Sequence, residues 1–452
     1  MRAGWRHACV GDVGNYINGM AFKPSDWEDH GRPIIRIQNL TDPTRAFNHT
    51  TQPVDPKFIV RHGDILVSWS ATLDAFVWRG PEAVLNQHIF KVEPNTKVVT
   101  AAFLFYQLKR VIEEMWHSEH THGSTMKHIN RGPFLAHPFW IAPLPEQHRI
   151  VAAIETHFSR LDAAVASLTR AKANVKRARA SVLKSAVEGR LVPTEAALAR
   201  AEGRDYEPAS VLVARVEQPP RPNRYNTRST DVVPGHAGLS VGDTRGALPE
   251  GWTRAPMVNV ARMESGHTPS RNHPEWWDGD VPWIGIADAR EHHGGVIYAT
   301  EQHTNADGLA NSAARLLPAG TVCISRTASV GYVVVMGRPM ATSQDFADWI
   351  CTEALDPHWV RVVFLADRDA LLRFGKGSVH KTIYFPELLS LHVAIPPLAE
   401  QHRIVAEVDR RLSVLDALAA SIDANLARCA RLRQAVLKRA FEGRLVPAEG
   451  AA

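Results

Sequence analysis

Cysteine is scarce in this chain. Cys9, Cys323, Cys351 and Cys429 are too scattered for a zinc site or a secreted disulfide framework. Reduced thiols in a cytoplasmic protein are therefore expected. Long apolar runs are also missing. The best, Val333–Met336, has four residues, far short of the roughly 20 a membrane helix needs. Residues 1–7 lack the apolar centre of a secretory signal. The run Asp-Pro-Pro-Tyr or Asn-Pro-Pro-Tyr of an amino-methyltransferase is absent, and Gly11-x-x-Gly14 is too weak for a dinucleotide or S-adenosylmethionine loop. Gly375-Lys376-Gly377-Ser378 looks like part of a phosphate loop, but it follows a helix pattern and lacks the upstream glycine. The cluster His117, His120, His122 and His128 has no cysteine nearby and lies in a polar stretch, which favours a solvated or phosphate-facing loop over a metal site.

What is present is a globular composition with 45% hydrophobic and 22% charged residues, and a formal net charge of +5 over 452 residues. The pI of about 9.0 is compatible with nucleic acid without requiring it. The length suggests about three structural units.

One stretch occurs twice. Residues 146–193 and 400–447 align without a gap at an offset of 254, with roughly half their positions identical. Both read as long helices, about 40 residues and about 60 Å each. Phe158, Leu161, Val165, Leu168, Val175 and Val182 follow in steps of three, four and seven, and Leu412, Leu415, Ile422, Leu426 and Val436 keep the same register in steps of three, seven, four and ten. That spacing gives the a and d positions of a coiled coil. Gly189 and Gly443 follow the last periodic turn and Pro193 and Pro447 lie beyond, as at a glycine-terminated helix end. The shared identities at Gln147, His148 and Arg149 exceed what amphipathic periodicity demands.

The regions before the helices echo each other more faintly. Trp252 answers Trp5, residues 281–286 answer 32–37, residues 320–326 answer 63–69, and a helix pattern over 359–374 answers one over 101–116. The chain therefore divides into a globule at 1–143, a helix at 144–193, a connector at 194–247, a second globule at 248–395 and a second helix at 396–452. Residues 218–247 are rich in Pro, Gly, Ser and Thr and read as a flexible linker. The fold class expected is α+β, with two mixed α/β domains separated by two long coiled-coil helices and an approximate two-fold axis.

DNA-contact candidates follow from residue chemistry. Ser124, Lys127, His128 and Arg131 lie in one Gly-Ser loop, and Ser378, His380 and Lys381 lie in its partner. Small flexible residues let such a loop approach a phosphate, and the basic groups can donate to guanine edges. Ser68, Trp69 and Ser70 end one strand, while Ser325, Arg326 and Thr327 end its counterpart, offering short polar donors beside one large group. Trp276, Trp277 and Trp283 could stack on bases, although packing is the plainer reading.

The alternation of globule and helix, Leu248-Pro249-Glu250-Gly251-Trp252, both Glu-Gln-His-Arg-Ile-Val starts and both Glu-Gly-Arg-Leu-Val-Pro ends resemble the specificity subunit of type I restriction–modification enzymes. The first globule departs from the pattern by starting at Trp5 without Leu-Pro. The resemblance implies two target-recognition domains, each reading one half of a bipartite, asymmetric site on double-stranded DNA. It implies that the two long helices form an antiparallel coiled coil, which sets the gap and docks two methyltransferase subunits, joined by two restriction subunits. It implies a chain that is itself non-catalytic and binds no cofactor, with S-adenosylmethionine, ATP and Mg²⁺ belonging to the partners, and no membrane association. One heptad per helix would change the gap by about 10 Å, or about 3 base pairs. The rival readings are a self-contained methyltransferase or nuclease and a coiled-coil adaptor with no DNA role.

Overall fold

The repeats are two helices of equal length. In the computed structural model of the chain, Leu144–Val187 and Leu398–Phe441 each span 44 residues, about 66 Å at 1.5 Å per residue. The structure describes residues 4–42, 44–116, 121–122, 128–219, 239–241, 247–327, 329–368, 371–372 and 382–447. Both helices end through glycine in the left-handed region, Gly189 at φ +65° and Gly443 at φ +70°. The Arg190 N–H then donates to the Ser185 carbonyl and the Arg444 N–H to the Arg439 carbonyl, which satisfies carbonyls the helix leaves open.

Two compact units divide the chain, Met1–Arg170 with Ile422–Ala452 and Ala171–Ser421. Each combines one globule with the start of one long helix and the end of the other. In unit 1, Ile150 and Ile154 share a core with Leu437, Ala440 and Phe441, and Asp162 pairs with Arg433. Advancing along one helix means retreating along the other, so the segments are antiparallel. Unit 2 repeats this, with Leu183, Ala186 and Val187 beside Ile404, Val405 and Val408, and Arg179 paired with Asp416. Arg179 and Arg433, and likewise Asp162 and Asp416, are equivalent positions of the sequence repeat. Among the expected seam residues Val175 and Ile422 are buried. Phe158, Leu161, Val165, Leu168, Val182, Leu412, Leu415, Leu426 and Val436 are half-buried.

Unit 1 holds an antiparallel sheet in the order Gly14–Asn18, Ile89–Pro94, Ile65–Ser68, Asp74–Val77. A second sheet runs Asn48–Thr50, Arg32–Ile35, Ala83–Leu85, Ile59–Val60. The helix Ala101–Trp116 buries Phe103, Leu104, Leu108, Val111, Ile112 and Met115, an i, i+3/i+4 stripe that explains its docking. Unit 2 repeats the frame: Ala261–Glu264, Phe346–Cys351, Val322–Ser325 and Val333–Met336, extended by Val296–Ile297. Its smaller sheet is Gln302–Thr304, Val281–Ile284, Ala341–Thr342, and its helix is Pro357–Ala366.

The linker expectation is revised at one place. Leu239–Val241 is a strand, antiparallel to Leu391–Ile395. An open sheet edge recruits backbone N–H and C=O groups whatever the side chains, so composition does not reveal the pairing.

Candidate nucleic-acid interface

The same backbone device builds a loop cluster in each unit. In unit 1 the Ser68 hydroxyl donates to the Thr72 carbonyl and accepts from the Asp74 N–H. In unit 2 the Ser325 hydroxyl donates to the Ser329 carbonyl and accepts from the Tyr332 N–H. Both serines are fully buried. The expectation that Ser68 and Ser325 offer donors to DNA is therefore corrected, because their hydroxyls are spent closing the hairpin turns. Ser70 is also buried.

A close glycine approach sets the second wall. A Cβ on Gly19 would lie 2.0 Å from the Asn86 carbonyl oxygen, and one on Gly266 would lie 2.1 Å from that of Thr342. Only glycine lets these segments touch. The third wall is the turn entering the next strand. The Asn86 N–H donates to the Ile35 carbonyl and the Ser343 N–H to that of Ile284.

On this shared frame the side chains differ. Unit 1 presents Trp69, whose indole N–H donates to Asn18 Oδ1 at 3.1 Å and whose ring meets His88 edge-on at 4.7 Å. Ala71 and His88 are the two non-glycine residues with positive φ among the described residues, at +60° and +73°. Both belong to this cluster, which marks it as held in a costly conformation. Unit 2 presents Arg326, whose guanidinium donates to the Gln344 carbonyl at 3.0 Å and lies 4.3 Å from the Phe385 ring centroid. Thr327 bonds the Asp345 carboxylate, and Thr268 bonds the Gln344 amide oxygen. Indole, amide and imidazole on one frame, and guanidinium, amide and carboxylate on the other, suit different base edges.

The remaining candidates divide. Arg131 is exposed at the first residue of the helix Arg131–Ala136. His128 lies in the strand His128–Ile129 opposite His122. Ser124, Lys127, Ser378, His380 and Lys381 lie outside the described residues, as do His117 and His120. Trp283 is buried, Trp277 meets it edge-on at 5.1 Å, and Trp276 stacks on His273 at 4.1 Å.

The shared Glu-Gln start of the helices is a clamp to the globules. The Trp5 indole donates to Glu146 at 3.0 Å and the Trp252 indole to Glu400 at 2.8 Å. Gln147 is wholly buried. It accepts from the Thr100 N–H at 2.8 Å and donates to the Val98 and Ala142 carbonyls at 2.9 and 2.8 Å. Gln401 does the same with the Asp356 N–H and the Ala354 and Pro396 carbonyls. Burial pushes the Glu400 carboxyl above its usual range. The Glu-Gln identities, which amphipathic periodicity does not demand, are committed inside the chain.

One buried group is titratable near neutrality. Asp348 is fully buried, accepts from the Thr342 hydroxyl at 2.6 Å and lies beside Cys323; burial pushes it up to about 7. Among the described residues no group of three or more His, Cys, Asp or Glu is arranged to hold a metal, and no helix is long and apolar enough to cross a membrane.

The family described as "Type I restriction modification DNA specificity domain" matches residues 3–169 and 249–426. The chain is 22% identical to the EcoBI specificity subunit of Escherichia coli over 450 residues, covering 98% of this chain and 86% of that protein. It is 22% identical to the EcoKI specificity subunit of E. coli K12 over 468 residues, covering 98% and 89%. Its fold is similar to a chain of a type I restriction–modification assembly at TM-score 0.69, 17% identity and coverage of 98% and 99%. The HsdS subunit of Thermoanaerobacter tengcongensis follows at TM-score 0.50, 17% identity and 98% of both chains.

Proposed function

The chain belongs to the type I restriction–modification DNA specificity family, and from that premise we propose that its two units read two different halves of one bipartite target. Recognition of the DNA target is the role of a specificity subunit, and such subunits are non-catalytic. The observation that carries the finer reading is the loop cluster. One glycine-and-serine frame appears twice and carries Trp69, Asn18 and His88 in unit 1 but Arg326, Gln344 and Thr327 in unit 2. Sequence choice comes from base-edge contacts made by these loops. Basic groups, among them Arg131 and the candidates Lys127, His128, Lys381 and His380 with Ser124 and Ser378, supply phosphate contacts and salt-dependent affinity.

In this reading the antiparallel helix pair is the spacer and the docking surface for two methyltransferase subunits. Because Gln147 and Gln401 are buried in the clamps, docking falls to the exposed faces of the helices. Restriction subunits complete the assembly, and S-adenosylmethionine, ATP and Mg²⁺ are bound by the partners, all in the cytoplasm. Exchanging residues 5–143 for those of another specificity subunit tests the assignment. One half of the methylated site changes and the other stays, as read by sequencing modified adenines. A swap that alters both halves, or neither, refutes it.

A further inference from the structure

A second cluster in unit 2 adjoins these loops and has no role in the reading above. The exposed Arg271 guanidinium lies 3.6 Å from the Trp277 ring centroid and 5.4 Å from that of Trp283, and its Nη2 donates to Gln302 Oε1 at 2.7 Å. Trp283 is fixed in turn, since its indole N–H donates to the His267 carbonyl at 3.0 Å. Stacking and one hydrogen bond thus hold flat a side chain that otherwise samples many rotamers, so little ordering remains for binding to supply. Thr268 links this loop to Gln344, whose carbonyl accepts from Arg326. The cluster is therefore continuous with the loop face of unit 2.

Charge decides which part of a nucleic acid fits there. Arg271 walls a hollow of about 340 Å³ together with Trp277, Asp278, Gly279, Glu301, Gln302 and His303. The hydrogen bond of the Arg271 guanidinium goes to Gln302 and not to either carboxylate. A phosphate brought to the guanidinium would also meet two carboxylates and be repelled. A G·C pair offers guanine O6 and N7 to a guanidinium and the cytosine N4 amino group to a carboxylate. We propose that Arg271, braced on Trp277, reads the guanine of a G·C pair in the half-site taken by unit 2, with Glu301 accepting from the cytosine.

Unit 1 contains a related pair made differently. Trp27 follows the turn Pro24–Asp26, as Trp277 ends the turn Pro274–Trp277. The guanidinium above it, 5.3 Å from the ring centroid, belongs to Arg36. Arg36 comes after the strand Arg32–Ile35, whereas Arg271 comes before its turn. The same pairing supplied from two chain positions points to a surface function rather than to inherited packing.

This inference rests on unit 2 reading DNA, and the experiment separates the two. The complex reconstituted with its methyltransferase partner is offered a random-sequence DNA library, and the methylated sites are sequenced for wild type, Arg271→Ala, Arg271→Lys and Arg326→Ala. Arg271→Ala and Arg271→Lys are expected to relax one G·C position in one half-site by roughly ten- to a hundredfold, with the other half-site unchanged. Arg271 is exposed, so its variants keep the wild-type melting temperature. An unchanged site, or a loss spread evenly over all sequences with a shallower salt dependence, overturns the base-reading role. If Arg326→Ala shifts base preference while the Arg271 variants do not, only this inference falls. If no variant shifts it, DNA reading by this face falls as well.

Discussion

Unit 1 buries a lysine where unit 2 buries an aspartate. Lys91 pairs across its sheet with Leu66, and Asp348 occupies the matching place opposite Cys323. Lys91 donates to the Ile59 carbonyl at 3.0 Å and reaches Glu93 at 3.4 Å. Asp348 takes the Thr342 hydroxyl, and burial pushes its carboxyl up to about 7. Two interiors with different buried polar groups support one backbone. What the units share is the set of backbone locks: a buried serine in the hairpin, a glycine against a carbonyl, an indole on a glutamate and a glutamine across three peptide groups. The frame is specified by these few hydrogen-bonded contacts, which leaves both the interior charge and the exposed loop groups free to diverge.

The largest effect that tests this equivalence is at the glycines. Gly19→Ala and Gly266→Ala should each destabilise their own unit by about 3 to 5 kcal/mol, because a carbonyl oxygen must move out of the way. Hydrogen exchange resolved by segment measures it, and one tolerated substitution breaks the equivalence. Next comes Asp348→Asn. The folded carboxyl titrates at about 7 against 3.8 when free, so its stabilising contribution is complete below about pH 4 and is lost as pH rises through 7. Unit 2 should lose a few kcal/mol between those limits, and Asp348→Asn should flatten that slope without altering unit 1. A slope unchanged by the substitution would remove Asp348 from the account. The smallest effect is at the paired bridges. Arg433→Ala and Arg179→Ala should each cost under about 1 kcal/mol, since their partners Asp162 and Asp416 are well exposed. Double-mutant cycles that differ sharply between the two pairs would mean the helix segments are not equivalent.

Local pattern carried much of the fold. The heptads of residues 158–182 and 412–436, the terminating Gly189 and Gly443 and the helix over 101–116 were all legible, because each rests on neighbours within one or two turns. The clamp was half legible. Gln147 and Gln401 stood out as shared polar identities, but one acceptor of each is a carbonyl some 50 residues away that no periodicity encodes. The loop face was less legible still. Asn18 meets Trp69 across 51 positions, and Arg271 meets Gln302 across 31. Ser68 and Ser325 were misread as donors because a serine after a strand looks the same whether its hydroxyl turns inward or out.

Phe441 packs edge-on against Phe103 at 5.2 Å, and Leu445 joins the same interior. During synthesis the ribosome must therefore release the chain as far as residue 441 before the first globule can be sealed, whereas the second is contiguous in sequence and closes as it emerges. At the usual elongation rate the nascent first half waits on the order of tens of seconds with its aromatic surface uncovered. That interval exposes it to chaperones and to aggregation, and it ties maturation of the first globule to arrival of the helix Leu398–Phe441.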